Sequence, residues 1–468
     1  MGTPHPRDAS ATRIWRNQVN LVLEVFAGER PMAHIGHDAI PDTWSLTYLD
    51  EWLEAPDAYP LSPSLPLTTS ERGYDSHSIK RFIEHLLPEG HALEVAIKVN
   101  GLTKSNVFGL IHALGTETAG VLRFRDAQAG LDAHVAHEMR EIPIEELDAR
   151  IARHDTPFMV WDGKVRMSVA GVQDKLLVYV DAPLEQGGRL FLVEGPRLAS
   201  THILKPDFGH PNMQHLAINE HFCMTLARRI GLPAAEVQLL RTPRPVLVVR
   251  RFDRIVRKQD NDVRVERRHM IDACQACDLP VSFKYERNYG KGDAVRDIRE
   301  GMSFERLFGL GELTGNKAQA KLAMLRWALF QFLIGNSDAH GKNFSFFIGP
   351  GGYLEPTPWY DLVSVVQYAH FDTDLAMAYG DAFTYDDVTP FALADFATRC
   401  GIDRKLMRRE AQRLAGASIT AADELVNSAD YTDDERAFVE CLAGFVGRQS
   451  QRLTALAQEA ATIPAGFL

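Results

Sequence analysis

Apolar residues repeat at every second position in some stretches of the chain and at every third or fourth in others, and the alternation predicts three regions. In the first, residues 19–26 read as a strand that ends at Gly28. Residues 61–67 are extended, because each proline there disfavours helix at the residue before it. Residues 79–87 form a short amphipathic helix, residues 110–114 belong to another that closes near Gly115, and the charged run 134–155 is expected to be a helical connector. From about residue 156 the pattern turns to strands. Residues 165–180 read as strand, glycine turn, strand, and residues 190–193 and 201–206 as further strands. Residues 219–230 form a helix closed by Gly231, and residues 246–254 are a buried strand running into a polar turn. That order suits a small antiparallel sheet with one helix. After about residue 266 the chain is expected to be mainly helical, with a long apolar helix at 317–334, a short strand at 344–348 and charged-faced helices to about 460.

Composition narrows the class. With 468 residues, and domains of about 100–200 residues as the rule, two to four core-forming units are expected. The boundaries drawn from the pattern are a loose 1–15 end, an amino-terminal unit 16–145, a strand-rich unit 146–265 and a helical unit 266–468. Hydrophobic residues at 45% and charged residues at 24% are an ordinary globular balance. A net charge of −11 argues against a whole-surface grip on nucleic acid, so any DNA contact should be local or come through a partner. Five scattered cysteines are no disulfide framework and predict a reducing compartment. No apolar run approaches the ~20 residues that span a bilayer, and no leader-like start is visible, so a cytoplasmic protein is expected.

The candidate chemistry is phosphoryl transfer. Such an enzyme needs a carboxylate to orient the attacking hydroxyl and oxygen ligands for Mg²⁺ between the phosphates. Protein kinases supply both from one loop, with Asn five positions after Asp, and Asp338 and Asn343 have that spacing. Asp361 follows as a second Mg²⁺ ligand. Asp-x-x-x-x-Asn alone also fits a helix end and turn; the long apolar helix before it, the strand after it and the downstream Asp361 favour the catalytic reading. Lys205, in a strand between apolar neighbours, needs an anion, and Glu220 on the next helix is a candidate ion-pair partner. Residues 168–175 can form a backbone nest for phosphate, although read alone they also fit an ordinary hairpin turn. Cys274 and Cys277 lack a second cysteine pair or a nearby pair of histidines and read as small buried hydrophobes.

Taken together, residues 61–67, 86–90, 120–124, 168–175, 201–206, 251–254, 284–286 and 335–344, with Tyr360 and Asp361, resemble the HipA family, the kinase toxins of bacterial toxin–antitoxin modules. The resemblance runs over nearly the whole chain. It implies an α+β, protein-kinase-like two-lobed fold, with a small β-rich N-lobe, an all-helical C-lobe and an extra amino-terminal α/β subdomain. It implies Asp338 as catalytic base, Asn343 and Asp361 on Mg²⁺, and Lys205 on the ATP phosphates. Ala170, Gly171, Val172, Gln173, Asp174 and Lys175 would be the phosphate-binding loop, and Arg250, Arg251 and Phe252 the hinge at adenine. His340, Gly341, Lys342, Asn343 and Tyr360 would line the nucleotide. Ser168 matches the family's autophosphorylated serine, whose dianion would not sit in a site built for ATP phosphates. The implied partners are a small helix-turn-helix antitoxin of the HipB kind, DNA mainly through that antitoxin, and an aminoacyl-tRNA synthetase, chiefly the glutamyl enzyme, as substrate. This chain departs from the family pattern at Met270-Ile271 and at Arg250. Two further readings of the same residues are a kinase fold with weak turnover acting as a co-repressor, and a small-molecule kinase.

Overall fold

A computed structural model of the chain describes residues 20–68, 73–127, 138–153, 157–166, 174–195, 197–259 and 262–467. The polar opening, the turn expected between residues 165 and 176, and Ser168 with it, lie mostly or wholly outside those residues.

The amino-terminal unit is an antiparallel sheet in the order Thr43–Tyr48, Arg30–Asp38, Asn20–Ala27, Leu122–Asp126. In Asn20–Ala27, Leu23, Val25 and Ala27 are buried at every second position, the alternation that sets one face on a core. Helices Ser76–Glu84, Gly90–Asn100 and Val107–Leu114 follow the three-stranded part. The first is started by Asp75, whose side chain accepts from Ser78 N.

The second sheet has six strands, in the order Val237–Arg241, Pro245–Arg250, His202–Pro206, Leu176–Val180, Leu190–Glu194, Glu138–Ile142, all antiparallel. Helix Leu216–Arg229 packs on its first two strands. The stretch expected to be a helical connector is a strand, Glu138–Ile142, before a helix, Ile144–Ala152. Pairing with Leu190–Glu194 and burial of Ile142 override the local helix preference of Glu, Met and Arg.

The helical unit is organised by Lys317–Ile334, buried on all sides from Trp327 to Ile334. Asn316 caps its start by accepting from Gln319 N. Pro390–Arg399, Arg404–Val426 and Asp433–Ala460 complete it, the last two packed as a hairpin. Residues 277–303 are not helical as expected, beyond the single turn Val281–Phe283. That segment carries Pro280, Gly290, Gly292 and Gly301, and is held instead by bonds to distant chain, such as Glu286 N donating to Ala376 O. A three-stranded sheet, Met270–Asp272, Ser345–Ile348, Leu354–Pro356, takes its middle strand from the chain just after the 336–343 loop.

The apolar core of the amino-terminal unit runs without a break into that of the helical unit, while much of the six-stranded sheet closes over a separate core that includes Leu176, Val178, Leu204 and Val248. The amino-terminal unit is thus fused to the helical unit rather than tethered to it.

Candidate active site

Between the six-stranded sheet and the helical unit lies a cavity of about 770 Å³. Lys205 reaches it from His202–Pro206, an interior strand of the sheet. Its ammonium donates to Glu220 Oε1 at 2.7 Å and to Asp361 Oδ1. Burial acts to discharge Lys205, but Asp361 and Glu220 outweigh it and hold the ammonium above the ordinary lysine range. Lys175, buried beside it, is brought down to about 8 by burial and the Lys205 charge. Asp361 adopts φ 57, a left-handed conformation that Asp tolerates better than most residues. Burial would raise its pKa; Lys205 and Lys175 overcome this and push it down to about 2.

The opposite wall is the 336–343 loop. Helix Lys317–Ile334 stops at Gly335, where φ is 71 and a Cβ would lie 2.5 Å from Val366 Cγ2 and 2.6 Å from Phe445 Cε1. Only glycine meets both demands. Asn336 then ties the loop together: its Nδ2 donates to Gln331 Oε1 at 2.9 Å and to the Asp361 carbonyl at 3.4 Å, and its Oδ1 accepts from Asp338 N at 3.2 Å. Asn343 Nδ2 donates to the Asp338 carbonyl at 3.0 Å, which leaves its Oδ1 as the oxygen available to a ligand. Asp338 is exposed in the cavity, and its Oδ1 accepts from Tyr285 Oη at 2.7 Å.

The other expected site residues divide by what their side chains touch. His340 is buried, accepts from Lys342 N at Nδ1, and packs edge-on against Tyr285. Gly341 donates its N–H to Lys284 O; a Cβ there would meet Cys274 Sγ at 2.6 Å, so Cys274 serves as close packing behind the loop. Among the described residues no group of metal-ligating side chains includes it. Lys342 and Arg251 both border the cavity, yet their charges are engaged elsewhere. Lys342 Nζ donates to Asp272 Oδ2 at 2.6 Å and His85 Nδ1 at 2.8 Å, with Glu89 Oε1 3.9 Å away. Arg251 is buried against Asp253 and Glu117. Arg250 is exposed and pairs with Glu236 at 2.8 Å. Phe252 and Tyr360 face each other at 5.9 Å, and Tyr360 Oη donates to the Lys342 carbonyl. Asp174 is half-buried, and burial raises its carboxyl. Ala170, Gly171, Val172 and Gln173 lie outside the described residues.

Several groups at the cavity carried no role in the sequence: His85 and Glu89 from the amino-terminal unit, Asp272, Tyr285 and Asn336. The runs 86–90 and 284–286 stand out as motifs, but nothing local shows that Tyr285 meets a carboxylate 53 positions later.

Chemically, the site sets two buried ammonium groups on one wall against the oxygens of Asp338, Asn343 and Asp361. Lysines suit a polyanion, and carboxylate and amide oxygens are the donors a hard divalent cation takes, which binds few protein ligands when phosphates supply the rest.

Comparison with known proteins places the chain in a family. Residues 23–125 match the HipA N-terminal domain and residues 167–422 the HipA-like C-terminal domain. A serine/threonine-protein kinase toxin HipA from Shewanella oneidensis is 41% identical over 422 residues, covering 90% of this chain and 93% of its own length. A relative from Sinorhizobium fredii is 32% identical over 437 residues, covering 90% and 97%. A solved structure from Shewanella oneidensis MR-1, of a toxin–antitoxin system comprising HipA, HipB and operator DNA, matches with a TM-score of 0.83 and 39% identity over 95% of this chain and 100% of the matched chain. This chain belongs to the HipA family and has the kinase fold and serine/threonine kinase character of that family.

Proposed function

We propose that the cavity binds ATP with Mg²⁺ and passes the γ-phosphoryl group to a serine or threonine hydroxyl, with Asp338 as the base. The observation that carries the reading is that Lys205, paired with Glu220 and Asp361, faces Asp338 and Asn343 across one cavity. The attacking hydroxyl oxygen forms its bond to the γ-phosphorus while the bond to the bridging oxygen breaks, its electron pair leaving on ADP. The hydroxyl proton goes to Asp338. Lys205 and Lys175 would hold the phosphates, and Asn343 Oδ1 and Asp361 would hold Mg²⁺, which would supply neutralisation of phosphate charge. Phe252 and the backbone of residues 250–252 suit the adenine ring, and residues 170–175 the phosphates. Lys342 and Arg251 support those walls from behind.

Kinship extends the proposal to a HipA-like toxin. The relative solved with HipB and operator DNA supports a HipB-like antitoxin as partner, with DNA reached mainly through it. An acidic chain fits that division of labour. We further propose Ser168 as a self-phosphorylation site and a glutamyl-type aminoacyl-tRNA synthetase as the substrate, acting in the cytoplasm. Among the described residues no helix is long and apolar enough to cross a membrane.

The test is γ-phosphate incorporation with purified protein. Asp338→Asn should lower transfer by at least about 10³-fold while leaving ATP binding within a few-fold. Transfer at the native rate by that variant would reject Asp338 as base.

A further inference from the structure

Asp338 is held on its main chain by Asn336 and Asn343, but neither of those bonds reaches the carboxylate. A carboxylate turns easily about its last torsion. A base whose two oxygens exchange places presents the right lone pair to the substrate only part of the time.

The bond that reaches the carboxylate comes from Tyr285, whose Oη donates to Asp338 Oδ1 at 2.7 Å. Tyr285 is itself fixed on both sides. Its ring stands edge-on to His340 at 5.2 Å and 87°. Just before it, Lys284 O accepts from Gly341 N at 3.0 Å, and Lys284 Nζ donates to Glu89 Oε2 at 2.8 Å. Just after it, Glu286 accepts from Ala378 N at 2.7 Å and pairs with Arg299. The residue is thus a short rigid arm aimed at one oxygen of the base.

We propose that Tyr285 is the positioning residue of Asp338: its hydroxyl locks Oδ1 and turns Oδ2 toward the acceptor hydroxyl. The inference rests on Asp338 being the base. Tyr285 keeps its proton throughout; the acceptor's proton goes to Oδ2, and ADP takes the electron pair of the broken P–O bond. Burial and the neighbouring Asp338 charge hold the phenol above its ordinary range, so it remains a donor at every working pH.

Tyr285→Phe keeps the ring and its contact with His340 and removes the donor alone. Transfer from γ-labelled ATP, to the chain itself and to a serine-containing acceptor protein, is followed at one pH over a range of ATP concentrations. The expected result is a roughly tenfold fall in kcat with a KM for ATP within about twofold of the native value. A merely structural role would move KM and the urea midpoint along with kcat. Tyr285→Phe made in the Asp338→Asn background should add nothing, because the oxygen it aligns is no longer a base. An unchanged kcat in Tyr285→Phe, or a fall in kcat matched by a rise in KM and a lower urea midpoint, beside an inactive Asp338→Asn, overturns the role of Tyr285 and leaves the base in place. Native turnover by Asp338→Asn, or no transfer by the native protein, removes the base and this inference with it.

Discussion

The amino-terminal unit meets the rest of the molecule at two charged clusters, one beside the 250–254 segment and one behind the 336–343 loop. In the first, Arg251, Arg254 and Arg267 close on Glu117 and Asp253, three cations against two anions. Asp253 also accepts from Gly120 N at 2.8 Å, and Glu117 from Ser200 Oγ at 3.0 Å. In the second, Lys284 and Lys342 close on Glu89 and Asp272, with His85 beside them. Burial and the Lys342 charge bring His85 down to about 4, so it accepts as a neutral ring. The choice of cation separates the two. Guanidinium forks bind two oxygens at fixed angles, whereas an ammonium is a compact point charge that tolerates small adjustments. The arginine cluster sets the geometry of one wall; the lysine cluster sits behind the loop that carries Asp338 and grips it through Lys342.

If that contrast is right, damage to the two clusters should register in different measurements. Asp253→Ala leaves Arg251 and Arg254 without their shared carboxylate in a buried place. Removal of one partner of a buried ion pair costs about 3–5 kcal/mol, to be read from the urea midpoint. A loss below about 1 kcal/mol would mean that water or relaxation replaces the carboxylate and that the cluster is not a fixed frame. Glu89→Gln keeps shape and removes the charge that Lys284 and Lys342 share. Its expected signature is a roughly tenfold fall in transfer rate, through displacement of the loop, with far less loss of stability than Asp253→Ala. Equal effects on stability would erase the distinction.

The smallest effect concerns acid. Burial would raise Glu117, but Arg267, Arg254 and Arg251 push it down to about 2, from 4.5 for a free glutamate. A carboxyl with a depressed folded pKa stabilises fully above its unfolded value and loses that contribution as pH falls through the folded one. The native protein should therefore lose stability between about pH 4.5 and 2, and Glu117→Gln should show a shallower slope there in urea midpoints taken across that range. An unaltered slope would assign the acid sensitivity to other carboxylates, such as Asp361, which falls to about 2 as well.

Much of this molecule can be read along the chain because its signals are local. The apolar run 19–26 reads as a strand and is found as Asn20–Ala27, and the apolar run 317–334 reads as a long helix and is found as Lys317–Ile334. The pairing of Lys205 with Glu220 follows from a strand and the helix after it, 15 positions apart. The misreadings fall where distant partners decide. Glu138–Ile142 is a strand because Leu190–Glu194 offers it an edge, and residues 277–303 take their shape from bonds to other parts of the chain. The domain boundaries assumed along the sequence sit beside a single continuous core shared by the amino-terminal and helical units, a fact of packing that no linear pattern carries.

By itself the sequence singled out a candidate set for phosphoryl transfer: Asp338 and Asn343 by spacing, Lys205 by its apolar strand, Asp361 by its place downstream. Residue type and order along the chain suffice to nominate them, because an acid, an amide and a cation are the groups this chemistry uses. Only the tertiary structure decided what holds them. Tyr285 on Asp338, Glu89 between two lysines and Glu117 among three arginines are all contacts between residues far apart in the chain. Their free energy depends on burial and on angles of approach, and neither is written in the order of the residues.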